Sequence, residues 1–582
     1  MSLRGFILVI FFSCIAAVQA TAQNNKPAGT DTSFATSSRI TAIWLHDNKV
    51  KELTNLGMLW GFIKYHHPAV AQGNINMDAA LFAVLPQVLA APNTDSANSV
   101  MQRWIDGFGK PQPCTQCKQY EKSNVTKLMP DYGYLFEKDN LPTSLQEKLE
   151  YIRQNSGAGM GHYYIQIQPG TGIPIFTNER QYETPYPDAG IRLVSLYRFW
   201  NVIQYYYPHR HLIDADWNQV LVQLIPTFCN ATNATEYQMA CLKLLTRIQD
   251  ANATLNGNTQ PLNEAMGKYI LPFTAQFIDD KLVVTGHYKD QSNVKSNVKP
   301  GDIVEQIDGL GILDHIRKYM DITPASNYEA KLQYMVSSTG GLLRSNTKEA
   351  TITIIRDGKP QNIKLNRIEV DTTLQLVDDG IAAAKTTKLL PGNIGYLNHG
   401  SLANGDLAKV KEMMAGTKGL IIDMRCYSRV YVMSEYKSWL KSTNAFYLRY
   451  AFMNINHPGV FDIAPAVPSY NDANENSYKG KLIVLVDSRT KGTSEFHTMM
   501  LQSIPGVKLV GSTTAGTDGN RSEVPLPGGV YTYFSGHGVL YPDATETQHK
   551  GLRIDKEVRP TIAGILAGKD EVLEAAIKMI NE

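Results

Sequence analysis

Hydrophobic positions along this chain change their period, and each change marks a different kind of element. Early on, apolar residues recur at spacings of three and four, the signature of amphipathic helices. The phrase Leu59-Trp-Gly-Phe-Ile-Lys-Tyr65-His-His-Pro68 returns at an offset of 140 residues as Phe199-Trp-Asn-Val-Ile-Gln-Tyr205-Tyr-Tyr-Pro208. Leu81, Leu85 and Pro86 fall opposite Leu221, Ile225 and Pro226, and Trp104-Ile105 opposite Leu244-Leu245. This internal repeat predicts two helical units, residues 40–118 and 186–260, with Pro68 and Pro208 ending the first helix of each. Residues 119–185 are rich in Gly, Pro and Tyr and predict an irregular connection with one hairpin.

From about Leu271 the pattern changes to short strands. Val298-Lys-Pro-Gly-Asp302-Ile-Val-Glu-Gln-Ile-Asp-Gly309 sets a turn between two apolar strands, and Ala350-Thr-Ile-Thr-Ile-Ile-Arg-Asp-Gly358 alternates into a hairpin signal. A small β domain is expected over 265–370. Beyond it, over 385–582, strands and helices alternate: Ile394 to Leu397, Ala408 to Met414, Gly419 to Asp423, Leu482 to Val486 and Val507 to Gly511. That alternation predicts an α/β layer. The fold class read from the whole chain is therefore α+β and multidomain.

Bulk properties narrow the function. The chain has 582 residues, 43% hydrophobic and 19% charged, with a formal net charge of +2, the profile of an ordinary globular protein of several domains. No basic block points to nucleic acid. Arg4, the apolar run Phe6 to Val18 and Ala20-Thr-Ala22 form a secretory leader over residues 1–22, too short to span a bilayer, so export to a periplasm or beyond the cell is expected. No other segment is long enough to cross a membrane. In that oxidising setting Cys114 with Cys117, and Cys229 with Cys241, are expected as local disulfides, leaving Cys426 unpaired. The His66-His67 and His209-Arg-His211 pairs lack an accompanying acid or cysteine, so no metal is expected, and no cofactor.

One segment carries candidate chemistry. The apolar strand ending at Val486 runs into a sharp turn, a helix starts there, and a second strand ends in Gly511-Ser-Thr-Thr-Ala-Gly516-Thr-Asp-Gly519. This order sets exposed backbone N–H groups beside one side chain. The segment resembles the active-site region of the tail-specific, or C-terminal processing, serine peptidases of the tricorn-core-like, secreted bacterial type. Gly419-Leu-Ile-Ile-Asp423-Met-Arg425, Tyr541-Pro-Asp543 and Gly551 to Asp555 extend the resemblance. It implies a crotonase-like α/β peptidase core and polypeptide substrates. The Pro300-Gly-Asp302-Ile-Val-Glu-Gln-Ile-Asp-Gly309 phrase resembles PDZ domains, which add a peptide to a sheet edge; Gly301, Asp302 and Ile303 are the expected peptide-binding residues.

The residues themselves depart from that family. A serine lies three residues before an acid in the first helical turn there; counting back from Glu495 gives Gly492 here, with Thr493 and Ser494 between. Two residues along a helix turn a side chain by about 200°, so Ser494 is expected to face away and to cap the helix. The resemblance sets the family base at Asn252 in one branch and Thr517 in the other; an amide accepts no proton at neutral pH. Its acid near the C-terminus becomes Gln548, and the oxyanion phrase becomes Asp423-Met-Arg425-Cys-Tyr-Ser-Arg-Val430 without its glycines. His399 and His537 are the histidines a rebuilt site would draw on. The expectation is a serine-peptidase-family protein acting on unfolded or C-terminal segments, weakly active or inactive because residue 492 is glycine. The alternative is a non-catalytic peptide-binding relative.

Overall fold

Helices built on the three-and-four spacing make up the first half of the molecule. The computed structural model describes residues 27–46, 48–117, 120–137, 140–157, 161–288, 297–381, 386–440, 445–468 and 477–582; the leader expected over 1–22 lies outside them. The helices are α1 (Lys49–His66), α2 (Met77–Ala90), α3 (Thr94–Asp106), α4 (Thr143–Gln154), α5 (Ala189–Tyr206), α6 (Trp217–Asn230) and α7 (Ala234–Thr246). The bounds of α1–α3 and α5–α7 differ by the same 140 residues. Their details correspond too: Trp60 Nε1 donates to Met77 O at 2.8 Å and Trp200 Nε1 to Trp217 O at 2.8 Å. Asn93 and Asn233 each cap the helix that follows.

α1 and α5 approach closely enough that Gly61 has no room for a side chain, since a Cβ there would lie 1.9 Å from Asn201. The contact is sealed by Tyr197 Oη donating to Leu53 O at 2.6 Å and Asn201 Nδ2 to Gly57 O at 3.0 Å. Beneath it Lys64 pairs with Glu179 at 2.5 Å and Arg198 with Asp78 at 3.0 Å, all shielded from water. Glu179 comes from the connecting segment and also pairs with Arg198 Nε at 2.9 Å, so that segment is bolted to both helical units.

Two expectations need correction here. The connection is not wholly irregular: α4 buries Leu145, Leu149 and Ile152, a helical spacing masked by its Gly- and Pro-rich flanks. Cys114 and Cys117 form a disulfide, but Cys229 and Cys241 are free thiols. Cys229 lies near Arg192 while Cys241 contacts Tyr237, so helix packing gives the two sulfurs different neighbours.

The middle of the chain is an antiparallel sheet of β1 (Phe273–Ile278), β2 (Lys281–His287), β3 (Ile303–Ile307), β4 (Glu349–Arg356) and β5 (Lys359–Asn366), in the order β5-β4-β3-β2-β1. Helix α8 (Tyr328–Val336) packs along β1, whose outer edge pairs with no strand among the described residues.

The last part is layered about β6 (Thr387–Leu390), β7 (Ile394–Asn398), α9 (Leu407–Met414), β8 (Gly419–Asp423), α10 (Met433–Leu440), β9 (Phe446–Met453), β10 (Lys481–Val486), α11 (Thr493–Gln502), β11 (Lys508–Gly511), β12 (Lys556–Glu557) and α12 (Glu571–Asn581). Six strands form one sheet, β6-β7-β8-β10-β11-β12, parallel throughout except for β6. Alternate residues serve opposite faces. Leu420, Ile422, Val484 and Val486 pack on α9, α10 and α11, while Ile421, Ile483, Leu485 and Val510 pack on α12. Covering both faces explains why these strands read as unbroken apolar runs. Each such side chain removed from water contributes about 1.5–3 kcal/mol. Among the described residues no helix is long and apolar enough to cross a membrane.

Candidate active site

At the carboxyl end of β10 the chain turns through Asp487–Lys491 and starts α11 at Gly492, where an open parallel sheet places its ligands. Gly492 has φ 53° and ψ −116°, a conformation that side chains resist and glycine accepts. A Cβ built there would meet only Tyr427, at 3.9 Å. Space for a side chain exists, but no hydroxyl fills it. Residue 492, the expected nucleophile position, thus sits in an open strand–turn–helix corner and brings no hydroxyl to it.

Glu495 holds the turn in place. Buried in the first helical turn, its carboxylate accepts from Thr514 Oγ1 (2.5 Å), Gly516 N (2.8 Å), Thr517 N (3.0 Å) and Gly492 N (3.3 Å). It thereby ties the helix start to the glycine-rich loop after β11. Burial, and then the nearby charge of Asp518, push its pKa up to about 8, against the pull of those hydrogen bonds.

The Ser494 hydroxyl is not presented as a nucleophile. Ser494 is 0% exposed, and its Oγ accepts the backbone N–H of Ser428 at 2.9 Å. It does not cap the helix as expected; Gly492 occupies the cap, and Ser494 instead braces the loop after β8. Thr493, the first helical residue, is half-buried. The same loop spends a second donor on Asp379, whose carbonyl takes the Tyr427 N–H at 2.8 Å. The backbone donors at Tyr427 and Ser428, in the expected oxyanion phrase, are thus already satisfied within the chain.

The expected base positions do come together, as a structural network. Asn252 Nδ2 donates to Ser535 Oγ at 3.1 Å; Ser535 N and Thr517 Oγ1 donate to Asp250 at 2.7 and 2.8 Å; and Thr517 O accepts the Gly492 N–H at 2.9 Å. A continuous path therefore runs from the second helical unit to the turn. Gln548 is buried with its Nε2 at 3.4 Å from Ser326 Oγ, and Ser326 Oγ also takes the Ala251 N–H. Asp250, Ser535 and Ser326 were not singled out from the sequence. Asp250 alone carried a signal, standing two residues before the expected base.

The two histidines are committed elsewhere. His399 is fully enclosed between Tyr436 Oη (2.8 Å, to Nδ1) and Ser428 Oγ (2.7 Å, to Nε2), and burial drives its pKa down to about 3. His537 donates from Nδ1 to Thr171 O and accepts at Nε2 from Asn520 N, with burial lowering its pKa to about 4. Neither reaches Thr493 or Ser494 by a hydrogen bond. No group of three or more His, Cys, Asp or Glu side chains among the described residues is arranged to hold a metal ion.

Against this geometry, residues 393–558 match the model of peptidase family S41. The likeness to peptidase family S41 lies in this core. No curated protein matches it by sequence. Among solved structures, mature CPAF complexed with lactacystin is 12% identical, with a TM-score of 0.52, and the match covers 68% of this chain and 99% of that one. Mature CPAF alone gives 13%, 0.51, 68% and 98%. At such identity the likeness is one of fold. The S41 match spans the whole apparatus from β7 through β12, so Gly492, Ser494 and Thr517 all lie within it, whereas Asn252 lies outside.

Gly301 and Asp302 lie in the turn that leads into β3 and Ile303 is its first residue, and their polar groups are used. The Asp302 carboxylate takes Arg356 Nε and Nη2 at 2.7 and 2.6 Å, Gly301 N donates to Val284 O, and Ile303 is paired within β3 on both sides. A Cβ on Gly301 would strike Leu566 at 2.4 Å. Among the described residues the unpaired outer edges belong to the end strands, β1 and β5. Between β1 and α8 a cavity of ≈ 130 Å³, lined by Gln276, Ile278, Leu332, Ser512 and Arg559, reaches the carboxyl end of the parallel sheet.

Proposed function

We propose that this S41 member is an exported protein that binds unfolded or C-terminal polypeptide segments and does not hydrolyse them through residue 492. One observation carries the reading: the helix start that should bear the nucleophile is Gly492, and the nearest serine hydroxyl, Ser494, is buried and already accepts a backbone N–H. Groups that act as a unit lose nearly all their effect when the nucleophile goes, and the base positions here hold an amide and a threonine engaged in structure. Binding survives that loss. The free edge of β1 beside α8 offers main-chain partners to an added strand, in the manner of a PDZ-like domain.

The test is direct. Purified protein is titrated with casein in a calorimeter, and parallel samples are followed for cleavage on gels. Saturable heat without fragments is expected. Cleavage that persists through purification and disappears in Ser494→Ala would overturn the non-catalytic part of the reading; absence of any binding would overturn the peptide-binding part.

A further inference from the structure

The disulfide between Cys114 and Cys117 joins no two elements of the fold. The cysteines are three residues apart, and between Asp106 and Thr126 the described residues form no helix or strand. Stabilisation by a cross-link grows with the loop it closes, so a bond this local gives least. The stretch is held by other contacts: Cys114 N donates to Asn155 Oδ1 at 2.8 Å, and Tyr151 Oη donates to Pro111 O at 3.1 Å. Both cysteines are partly exposed, and accessible disulfides are the ones that exchange.

Cys117 also opens onto a cavity of ≈ 60 Å³, which it shares with His66, Tyr120, Tyr132, Arg153 and His457. Such a space holds water or the tip of a small molecule. Its histidines carry no charge near neutrality. His66 bonds Tyr132 Oη at 2.9 Å, and burial lowers its pKa to about 3. His457, packed on Tyr120 with ring centroids 5.5 Å apart, is lowered by burial as well. Arg153, from the last turn of α4, is the cation of this wall. Its partner Glu150, at 2.7 Å, is not among the residues that line the cavity. A cation beside a cysteine favours the thiolate.

We infer that Cys114–Cys117 is a thiol–disulfide exchange site for small aliphatic thiols, with Cys117 the sulfur that leaves, towards Arg153. The thiolate of the small molecule attacks Cys114 Sγ. The Cys114–Cys117 bond breaks as the new S–S bond forms, and its electron pair stays on Cys117 Sγ. A second external thiolate attacks the sulfur of the attached molecule, releasing Cys114 as a thiolate and the small molecule as its own disulfide. Two external thiols are oxidised, the cysteine pair gains two electrons, and the protons the thiols gave up end on the two cysteines. The site uses none of the residues around Gly492, so it stands or falls apart from the polypeptide-binding reading.

The test equilibrates the mature protein with reduced and oxidised glutathione in varied ratio, quenches with iodoacetamide, and weighs the fragment that carries both cysteines. Cys229, Cys241 and Cys426 are buried and far from it in sequence. A graded passage to the dithiol is expected as reduced glutathione comes into excess, with the melting temperature unchanged by reduction. A pair that stays oxidised in reduced glutathione alone would overturn the inference. So would a lower melting temperature in the Cys114→Ser, Cys117→Ser double variant, which would mark a structural staple. The order of the sulfurs is read from single variants. At about pH 6, Cys117 in Cys114→Ser should react with iodoacetamide about tenfold faster than Cys114 in Cys117→Ser. Adding Arg153→Gln should raise the pH midpoint of that reaction and bring the ratio to about one, with the melting temperature held. Equal rates in the single variants, or a pH profile that Arg153→Gln leaves unmoved, would overturn the assignment of Cys117 and Arg153.

Discussion

On the proposed reading, Gly492 is where one residue decides the chemistry. Its positive φ is natural for glycine and costs any other residue about 1–3 kcal/mol. Gly492→Ser should therefore fold, since the Cβ meets nothing closer than 3.9 Å, but with a lower urea midpoint. It should also fail to cleave casein, because the expected base positions face Ser535 and Asp250 and not the new hydroxyl. Gly492→Ala should show the same loss of stability, which separates backbone strain from any effect of the oxygen. Casein cleavage by Gly492→Ser alone would mean that a working base has been overlooked.

At the scale of elements, α8 is fastened to the glycine-rich loop by one side chain with two tasks. Asn327 Oδ1 caps α8 by accepting the Ala330 N–H at 2.9 Å, while its Nδ2 donates to Thr514 O at 2.8 Å. Thr514 in turn bonds Glu495, so the helix beside the free edge of β1 and the turn at Gly492 share a rigid connection. Asn327→Ala should lose both cap and dock, about 1–3 kcal/mol in urea unfolding. Asn327→Ser keeps a cap and loses the dock, and should recover about 1 kcal/mol of that. Equal losses would show that the dock alone matters.

Elements also show what a pattern can and cannot disclose. The α/β core was legible because β8 and β10 are buried on both faces and so read as apolar runs between helices. α4 was not, because a short amphipathic stripe is easily lost among Gly- and Pro-rich neighbours. The free edge of β1 was likewise hidden: which strand ends a sheet depends on pairing, and the Pro-Gly-Asp phrase drew attention to β3, which lies inside.

For the molecule as a whole, buried titratable groups set the response to pH. Glu495 and Asp518 have folded pKa values raised to about 8 and about 7, above the ordinary carboxylate range. The folded state then binds more protons than the unfolded one, so stability falls as pH rises towards those values. Below about pH 6.5 the buried neutral histidines His399, His497 and His537 act in the opposite sense, since their folded pKa values are lowered. The acids are therefore seen cleanly between about pH 6.5 and 8, where denaturant midpoints should decline. Asp518→Asn should flatten that decline. An unchanged slope in the variant would show that Asp518 does not titrate in this window.

By itself the sequence determined what depends on local order: the helix spacing repeated at a fixed offset, the apolar runs of the parallel strands, and a glycine at the turn where the helix starts. Tertiary structure alone decided what depends on distant residues meeting. It placed Ser428 against Ser494 and Asp250 against Thr517, and it buried Asp518 with one carboxylate oxygen unpartnered. The reason is physical: a side chain's identity is fixed by its own position, whereas its hydrogen-bond partner, its burial and its charge state are fixed by whichever segment folds against it.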